Sequence, residues 1–174
     1  MTDAATPEAL FAFIESLGIE VQTIGHPPVH TVEEALPHWE KLKGAHTKNL
    51  FLKDPKGGLW LVSLPAEQKT DLKALAKAVG AKRFSFASAE LLEEALGVRQ
   101  GSVSAFALIN DRADKRVRFA LDEALAGADR VTFHPLVNTM TSSIASGDLM
   151  RFLAATGHEP VIVTAEALAA AAAG

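Results

Sequence analysis

Apolar residues recur along this chain with two different periods, and the switches between them mark out its elements. Leu10, Phe13, Ile14 and Leu17 have the three- and four-residue spacing of one helix face, behind Thr6 and Pro7, which suit a helix start, and before Gly18, which suits a stop. Residues 20–24 read as a short strand running into the stiff turn Gly25-His26-Pro27-Pro28. Thr31 and Glu34 have capping-box spacing, which predicts a second short helix ending near Pro37. Residues 46–53 and 59–64 are strand-like, and Asp54-Pro55-Lys56-Gly57-Gly58 between them combines rigid and permissive turn residues, so a hairpin is expected.

The remaining chain continues the alternation. Thr70 suits the cap of a helix through Val79, with Gly80 as its stop and Leu72, Leu75, Ala76 and Val79 on the buried face. A short strand over residues 84–86 and a helix over 88–96, stopped by Gly97, follow; strands are expected over 103–109, 117–121 and 130–133. Residues 147–156 form an amphipathic helical pattern before Gly157, then a strand over 160–164. The alanine-rich tail 165–174 has good helix propensity but little to bury, so it is expected to fray. No repeat or linker divides the series. Residues 1–174 therefore predict a single mixed α/β domain, with a central, largely antiparallel sheet surrounded by helices because many connections are short.

Composition narrows the chemistry. At 174 residues the chain fits one core. Cysteine is absent, which removes disulfides, thiolate metal sites and cysteine nucleophiles and suits a reducing cytoplasm. The first residues have no signal-peptide pattern and no stretch approaches the ~20 apolar residues of a membrane span, so a soluble cytoplasmic protein is expected, without membrane association. A net charge of -4 and a pI of about 5.9 argue against indiscriminate coating of nucleic acid. Selective contact stays open, because Lys69, Lys73 and Lys77 recur every four residues with Lys82 and Arg83 close behind. These cations fit either a solvated helix face or a patch that receives RNA phosphates.

Several familiar sites are missing: there is no Gly-x-x-x-x-Gly-Lys-Ser/Thr and no Gly-x-Gly-x-x-Gly. The run Gly101-Ser102-Val103-Ser104-Ala105 lacks the closing glycine of a serine-hydrolase elbow. His26 and His30 cannot align as metal ligands on a helix, because Pro27 and Pro28 lie between them. No metal or other cofactor is expected. Lys48, by contrast, shares its strand side with Leu50 and Leu52, an arrangement that aims an ammonium toward an apolar face; it should meet an anion, line a cleft or snorkel from the strand end. Gly101 permits close backbone approach and, with Ser102, offers N–H donors to a phosphate or oxyanion, or else forms an ordinary turn. His134 is held extended by Pro135 and reads either as a packed residue or as part of a site.

Taken together, His46-Thr47-Lys48-Asn49-Leu50-Phe51-Leu52, Gly101-Ser102-Val103-Ser104, Phe133-His134-Pro135-Leu136-Val137-Asn138 and Phe152-Leu153-Ala154-Ala155-Thr156-Gly157-His158-Glu159-Pro160 resemble, in order and spacing, the YbaK and prolyl-tRNA synthetase-associated editing-domain superfamily, particularly its ProXp-ala branch. The resemblance runs from the first helix to the last strand. It implies a mixed α/β editing fold and metal-independent hydrolysis of the ester joining alanine to the terminal ribose of the transfer RNA for proline, sparing the prolyl ester. By the same resemblance Lys48 matches the functional lysine, Asn49 its neighbour, Gly101 and Ser102 the glycine loop, and His134 and Asn138 the late pocket motif. Ala105 stands where members of the family often have proline.

An aminoacyl ester is already activated, so water can attack it once the ester is positioned and its oxyanion stabilised; no protein nucleophile is required. On this reading Lys48, Gly101 and Ser102 act on the ester, and Asn49, Leu50, His134, Leu136 and Asn138 bind substrate. The expected size-limited apolar pocket includes Leu50, Phe133 and Leu136. A transient contact with prolyl-tRNA synthetase or an elongation factor is compatible with the role. A deacylase for serine or cysteine, and a noncatalytic module that captures aminoacyl-tRNA, are the competing readings.

Overall fold

Local capping chemistry starts most of the helices. In the protein, represented by a computed structural model that describes residues 4–173 apart from the Val32 side chain, Thr6 Oγ1 accepts the Ala9 N–H at 3.1 Å and opens α1 (Pro7–Ser16). The first three residues and Gly174, the end of the expected tail, lie outside that range. After β1 (Val21–Gly25), Thr31 Oγ1 accepts the Glu34 N–H at 3.1 Å while the Glu34 carboxylate reaches back to the His30 N–H at 2.9 Å, so a reciprocal cap opens α2 (Val32–Trp39). The helix ends close to Pro37, as expected, with the proline inside its last turn.

β2 (Ala45–Lys53) and β3 (Leu59–Pro65) form the expected hairpin, and Asp54 Oδ1 accepts the N–H groups of Lys56 and Gly58 at the turn. Next comes α3 (Leu72–Ala78). Asp71, not Thr70, caps it, accepting the Ala74 N–H at 3.1 Å; both residue types suit a cap, so the local sequence does not separate them. β4 (Ser85–Phe86) leads to α4 (Ala89–Leu96), with Ser88 as the cap and Gly97 left-handed at φ 65°.

The strand expected over 103–109 is instead a 3₁₀ helix, Ala105–Asp111. Ala105, Phe106, Ala107, Leu108 and Ile109 are all buried, so the run shows no amphipathic period that would tell a helix from a strand. β5 (Val117–Asp122), a short α5 (Glu123–Ala126) and β6 (Arg130–Phe133) follow. β7 (Met140–Ala145) is a strand the pattern does not announce, because Thr141, Ser142 and Ser143 are polar yet buried. Their hydroxyls are satisfied internally: Ser142 Oγ meets Thr23 Oγ1 at 2.7 Å, and Ser143 Oγ donates to the Lys43 carbonyl.

α6 (Ser146–Thr156), β8 (Val161–Val163) and α7 (Ala165–Ala173) complete the chain. Within the tail, residues 165–173 are helical. They form α7 beside α3, and Leu168 packs against the core beneath. The eight strands make one mixed sheet in the order β1-β7-β6-β2-β3-β5-β8, with β4 added to β2. The β1–β7, β7–β6, β2–β3 and β2–β4 pairs are antiparallel, and β6–β2, β3–β5 and β5–β8 are parallel.

Alternation along β3 divides the core. Leu59 and Leu61 face a large cluster with α1, α4, the 3₁₀ helix and α6, whereas Trp60, Val62 and Leu64 face a smaller one under α3 and α7. No helix among the described residues is long and apolar enough to cross a membrane.

Candidate functional site

Where β2 leaves its pairing with β6, a cleft of about 230 Å³ opens beneath α2. β2 contributes Thr47, Lys48 and Asn49; the 26–31 loop and α2 contribute Val29, His30, Thr31, Ala35 and Trp39. Gly101 and Val103 line it from the loop before the 3₁₀ helix, and His134 from the end of β6. Lys48, Asn49, Gly101 and His134, far apart in sequence, therefore share one cavity.

Each is held by identifiable partners. Lys48 Nζ donates to the Gln68 carbonyl, and partial burial lowers its proton affinity from the ordinary lysine value. The Asn49 amide donates to Thr47 Oγ1 at 3.2 Å, its carbonyl accepts from Ser63 Oγ, and Thr47 Oγ1 in turn donates to the Thr132 carbonyl at 2.7 Å. This chain of bonds ties the strand end to β3 and β6. The His134 carbonyl accepts Ser104 Oγ at 2.7 Å and the Leu136 N–H at 2.9 Å, a tight turn that leaves Leu136 at φ 71°.

His134 Nδ1 lies 2.8 Å from the Met140 carbonyl, so Nδ1 carries the proton and Nε2 keeps its lone pair. Burial lowers the His134 pKa below the ordinary value of 6.5; the Met140 carbonyl partly opposes this and nearby His26, 5.9 Å between ring centroids, adds to it. The folded protein thus favours neutral His134. Below pH 6.5 the unfolded chain takes up this proton before the folded one, so stability is full above the ordinary histidine range and declines as pH falls toward the lowered folded value. His134→Gln is expected to flatten the loss of stability between about pH 7 and pH 5, measured by denaturant unfolding as a function of pH.

Other sequence-derived residues fall elsewhere. Ser102 is buried, and its N–H is already donated to the Arg99 carbonyl at 3.1 Å, so the loop offers the Gly101 N–H, which makes no hydrogen bond among the described residues. Asn138 stands beside the cleft: its Nδ2 lies 3.5 Å from the Val29 carbonyl and faces Gly101. Leu50 packs into the smaller core beside Leu52, and Phe133 and Leu136 into the larger, Phe133 against the edge of Phe106 at 5.5 Å. None of the three lines the cleft. The apolar wall comes instead from Val29, Ala35, Trp39 and Val103. Ala105 is fully buried at the start of the 3₁₀ helix.

Lys69, Lys73, Lys77, Lys82 and Arg83 are exposed outside the cleft, around α3 and the turn into β4. None pairs with an acid among the described residues. Trp39 is the residue sequence reasoning missed. Its ring stacks on His46 at 4.5 Å and 6°, and its Nε1 is the one buried side-chain polar atom without a partner among the described residues. The capping box located its helix, but nothing in the pattern says which face of that helix covers β2. Among the described residues, no three His, Asp or Glu side chains are grouped to hold a metal ion. A larger groove of about 770 Å³ between α1 and β1 holds Glu15, Glu20 and Arg130, and the Arg130 guanidinium is committed to Ser143.

The model of the aminoacyl-tRNA editing domain family matches residues 26–152, a span that contains all the cleft residues. The chain is 40% identical over 168 residues to prolyl-tRNA synthetase associated domain-containing protein 1 of Bos taurus, covering 94% of this chain and 97% of that protein. It is 35% identical over 161 residues to the prolyl-tRNA editing protein ProX of Acetoanaerobium sticklandii, covering 90% and 95%. Its fold matches a solved structure described as a candidate trans-editing enzyme for prolyl tRNA synthetase, with a TM-score of 0.68 at 18% identity over 91% of this chain and 97% of that one.

Proposed function

The chain belongs to the aminoacyl-tRNA editing domain family, and from that premise we propose that it is a trans-acting deacylase that hydrolyses alanyl-tRNA(Pro) and spares prolyl-tRNA(Pro). The observation that carries this reading is the meeting of Lys48, Gly101 and His134 in one small cleft. The similarity to ProX and to the synthetase-associated proteins supports proline tRNA as the carrier.

Lys48 anchors the terminal phosphate or ribose. Its ammonium is held at the cleft by a neutral carbonyl alone, which leaves its charge free to attract an anion. Gly101 lines the same cavity, where its N–H, free of any hydrogen bond among the described residues, holds the ester carbonyl and stabilises its developing oxyanion, while a glycine at φ 91° lets the backbone approach closely. Asn49, fixed on both sides of its amide, orients the ribose. Neutral His134 binds through Nε2 and shapes the pocket; Asn138 braces the loop across from Gly101. The adjacent ribose hydroxyl orients the attacking water, and neither a protein nucleophile nor a metal is needed.

The wall of Val29, Ala35, Trp39 and Val103 sets the size limit. A synthetase built for proline gains only ~1–3 kcal/mol of discrimination against a smaller apolar residue, so a second site that excludes by size corrects what the first admits. The chain is expected to deacylate alanyl-tRNA(Pro) at least about a hundredfold faster than prolyl-tRNA(Pro), with the alanyl rate unchanged after dialysis against a chelator. Equal rates on the two esters would remove the specificity, faster turnover of the seryl or cysteinyl ester would move it to another residue, and binding without turnover would identify a capture module.

A further inference from the structure

Phe86 has no structural use that explains its exposure. At 60% it is the most exposed large apolar side chain among the described residues, ahead of Ile162 at 42% and Leu36 at 39%, and it belongs to neither main core. The register places it in a definite relation to the cleft. Phe86 pairs directly with Leu52 in the antiparallel β2–β4 ladder, and directly paired residues project from the same side of a sheet. Leu50 and Leu52 lie between Phe86 and Lys48 on that side and are covered by the smaller core, so the open connection is the edge of β2: β6 leaves it at His46 and β4 joins it at Leu52, which puts Phe86 about 13 Å along the strand from Lys48.

The surroundings are basic. Lys82 and Arg83 immediately precede β4; both are exposed and neither is in an ion pair among the described residues. In a chain of net charge -4, two unpaired cations immediately before an exposed aromatic ring form a local basic spot. A ring that offers a flat π-face, flanked by cations that attract phosphates, suits an unpaired nucleotide of a single-stranded RNA segment.

We propose that Phe86 is a stacking platform for an unpaired base in the 3′ strand of the RNA whose terminus occupies the Lys48 cleft, with Lys82 and Arg83, just before β4, holding the phosphates beside it. This deepens the deacylase reading and rests on it. Lys48 receives the reacting end, and Phe86 grips the same RNA strand further back along the edge of β2. The platform is indifferent to base identity, because every base presents a π-face; the cations add affinity that falls with salt.

The test is binding of two uncharged RNA hairpins, one carrying a single-stranded 3′ extension of four nucleotides and one blunt, measured by fluorescence anisotropy over a range of salt. Phe86→Ala is expected to weaken binding of the extended hairpin about five- to a hundredfold and to leave the blunt hairpin and the salt dependence unchanged. Phe86→Trp should retain the wild-type affinity, and thermal unfolding of each variant confirms that the fold is kept. Arg83→Ala should instead lower the salt slope by about one on both hairpins. Unchanged affinity of Phe86→Ala for the extended hairpin, or an equal loss on the blunt one, overturns the platform. Deacylation of alanyl-tRNA(Pro) by the wild-type chain separates the two levels: turnover with an indifferent Phe86 defeats the platform alone, whereas a wild-type chain that neither binds the extended hairpin nor turns over defeats both.

Discussion

Lys48→Ala lowers deacylation of alanyl-tRNA(Pro) by at least about a hundredfold while leaving the unfolding midpoint near that of the wild-type protein. The two halves of this expectation come from different surroundings. Lys48 makes one hydrogen bond, to the Gln68 carbonyl, and is only partly buried, so truncation strands no charge and opens no void in either core. The charge it removes is the one cation in the cleft wall, and in a small, partly desolvated cavity a fixed cation is worth far more to an anionic group than it would be in water. Lys48→Arg is expected to recover only part of the rate, because the larger planar fork does not fit the point occupied by an ammonium. Single-turnover assays with saturating enzyme check this directly. A Lys48→Ala chain that folds normally and turns over at the wild-type rate would remove the lysine from the mechanism.

Asp111→Ala costs about 3–5 kcal/mol of stability, which for a domain of this size lowers the melting temperature by roughly 10 °C or more. Asp111 is 1% exposed and takes three donors: Oδ1 accepts the Arg116 N–H at 2.9 Å, and Oδ2 accepts the Val117 N–H at 2.9 Å and pairs with His158 Nε2 at 2.8 Å. His158 Nδ1 continues the network to Thr156 Oγ1 at 2.8 Å. One carboxylate thereby joins the end of the 3₁₀ helix, the start of β5 and the exit from α6. Truncation leaves two backbone N–H groups and an imidazole buried without an acceptor, and each such orphan costs about 1–3 kcal/mol. His158→Gln should cost less, because the carboxylate keeps both backbone donors. Denaturant unfolding of the two variants measures the order, and an Asp111→Ala chain as stable as the wild type would show that the network contributes nothing net.

These residues also mark how far the sequence could be read. Thr6, Thr31 and Ser88 start helices where their local chemistry says they should, and the β2–β3 hairpin follows from Asp54-Pro55-Lys56-Gly57-Gly58. Those signals act over a few residues. The 3₁₀ helix was hidden because a run buried on every side has no period, and β7 because its serines and threonine are satisfied by distant strands and loops. Within the site, Lys48 stood out as a charge on an apolar strand face, Gly101 and His134 stood out with an ordinary structural reading beside the functional one, and family resemblance supplied Asn49. Leu50, Phe133 and Leu136 were apolar neighbours of those motifs, and adjacency in the chain did not say which core each would enter.

By itself, the sequence determined which segments become helices, strands and turns wherever capping, periodicity or turn residues act locally, and it determined that one cation sits on an apolar strand. Only the tertiary structure decided that Trp39 roofs the cleft, that the Ser102 N–H is spent while the Gly101 N–H is open, and that Phe86 stands clear of both cores. The physical reason is range. A cap or a turn is settled by atoms a few bonds apart, whereas burial and hydrogen-bond satisfaction depend on which distant segment arrives to cover each group, and that is fixed by the packing of the whole sheet.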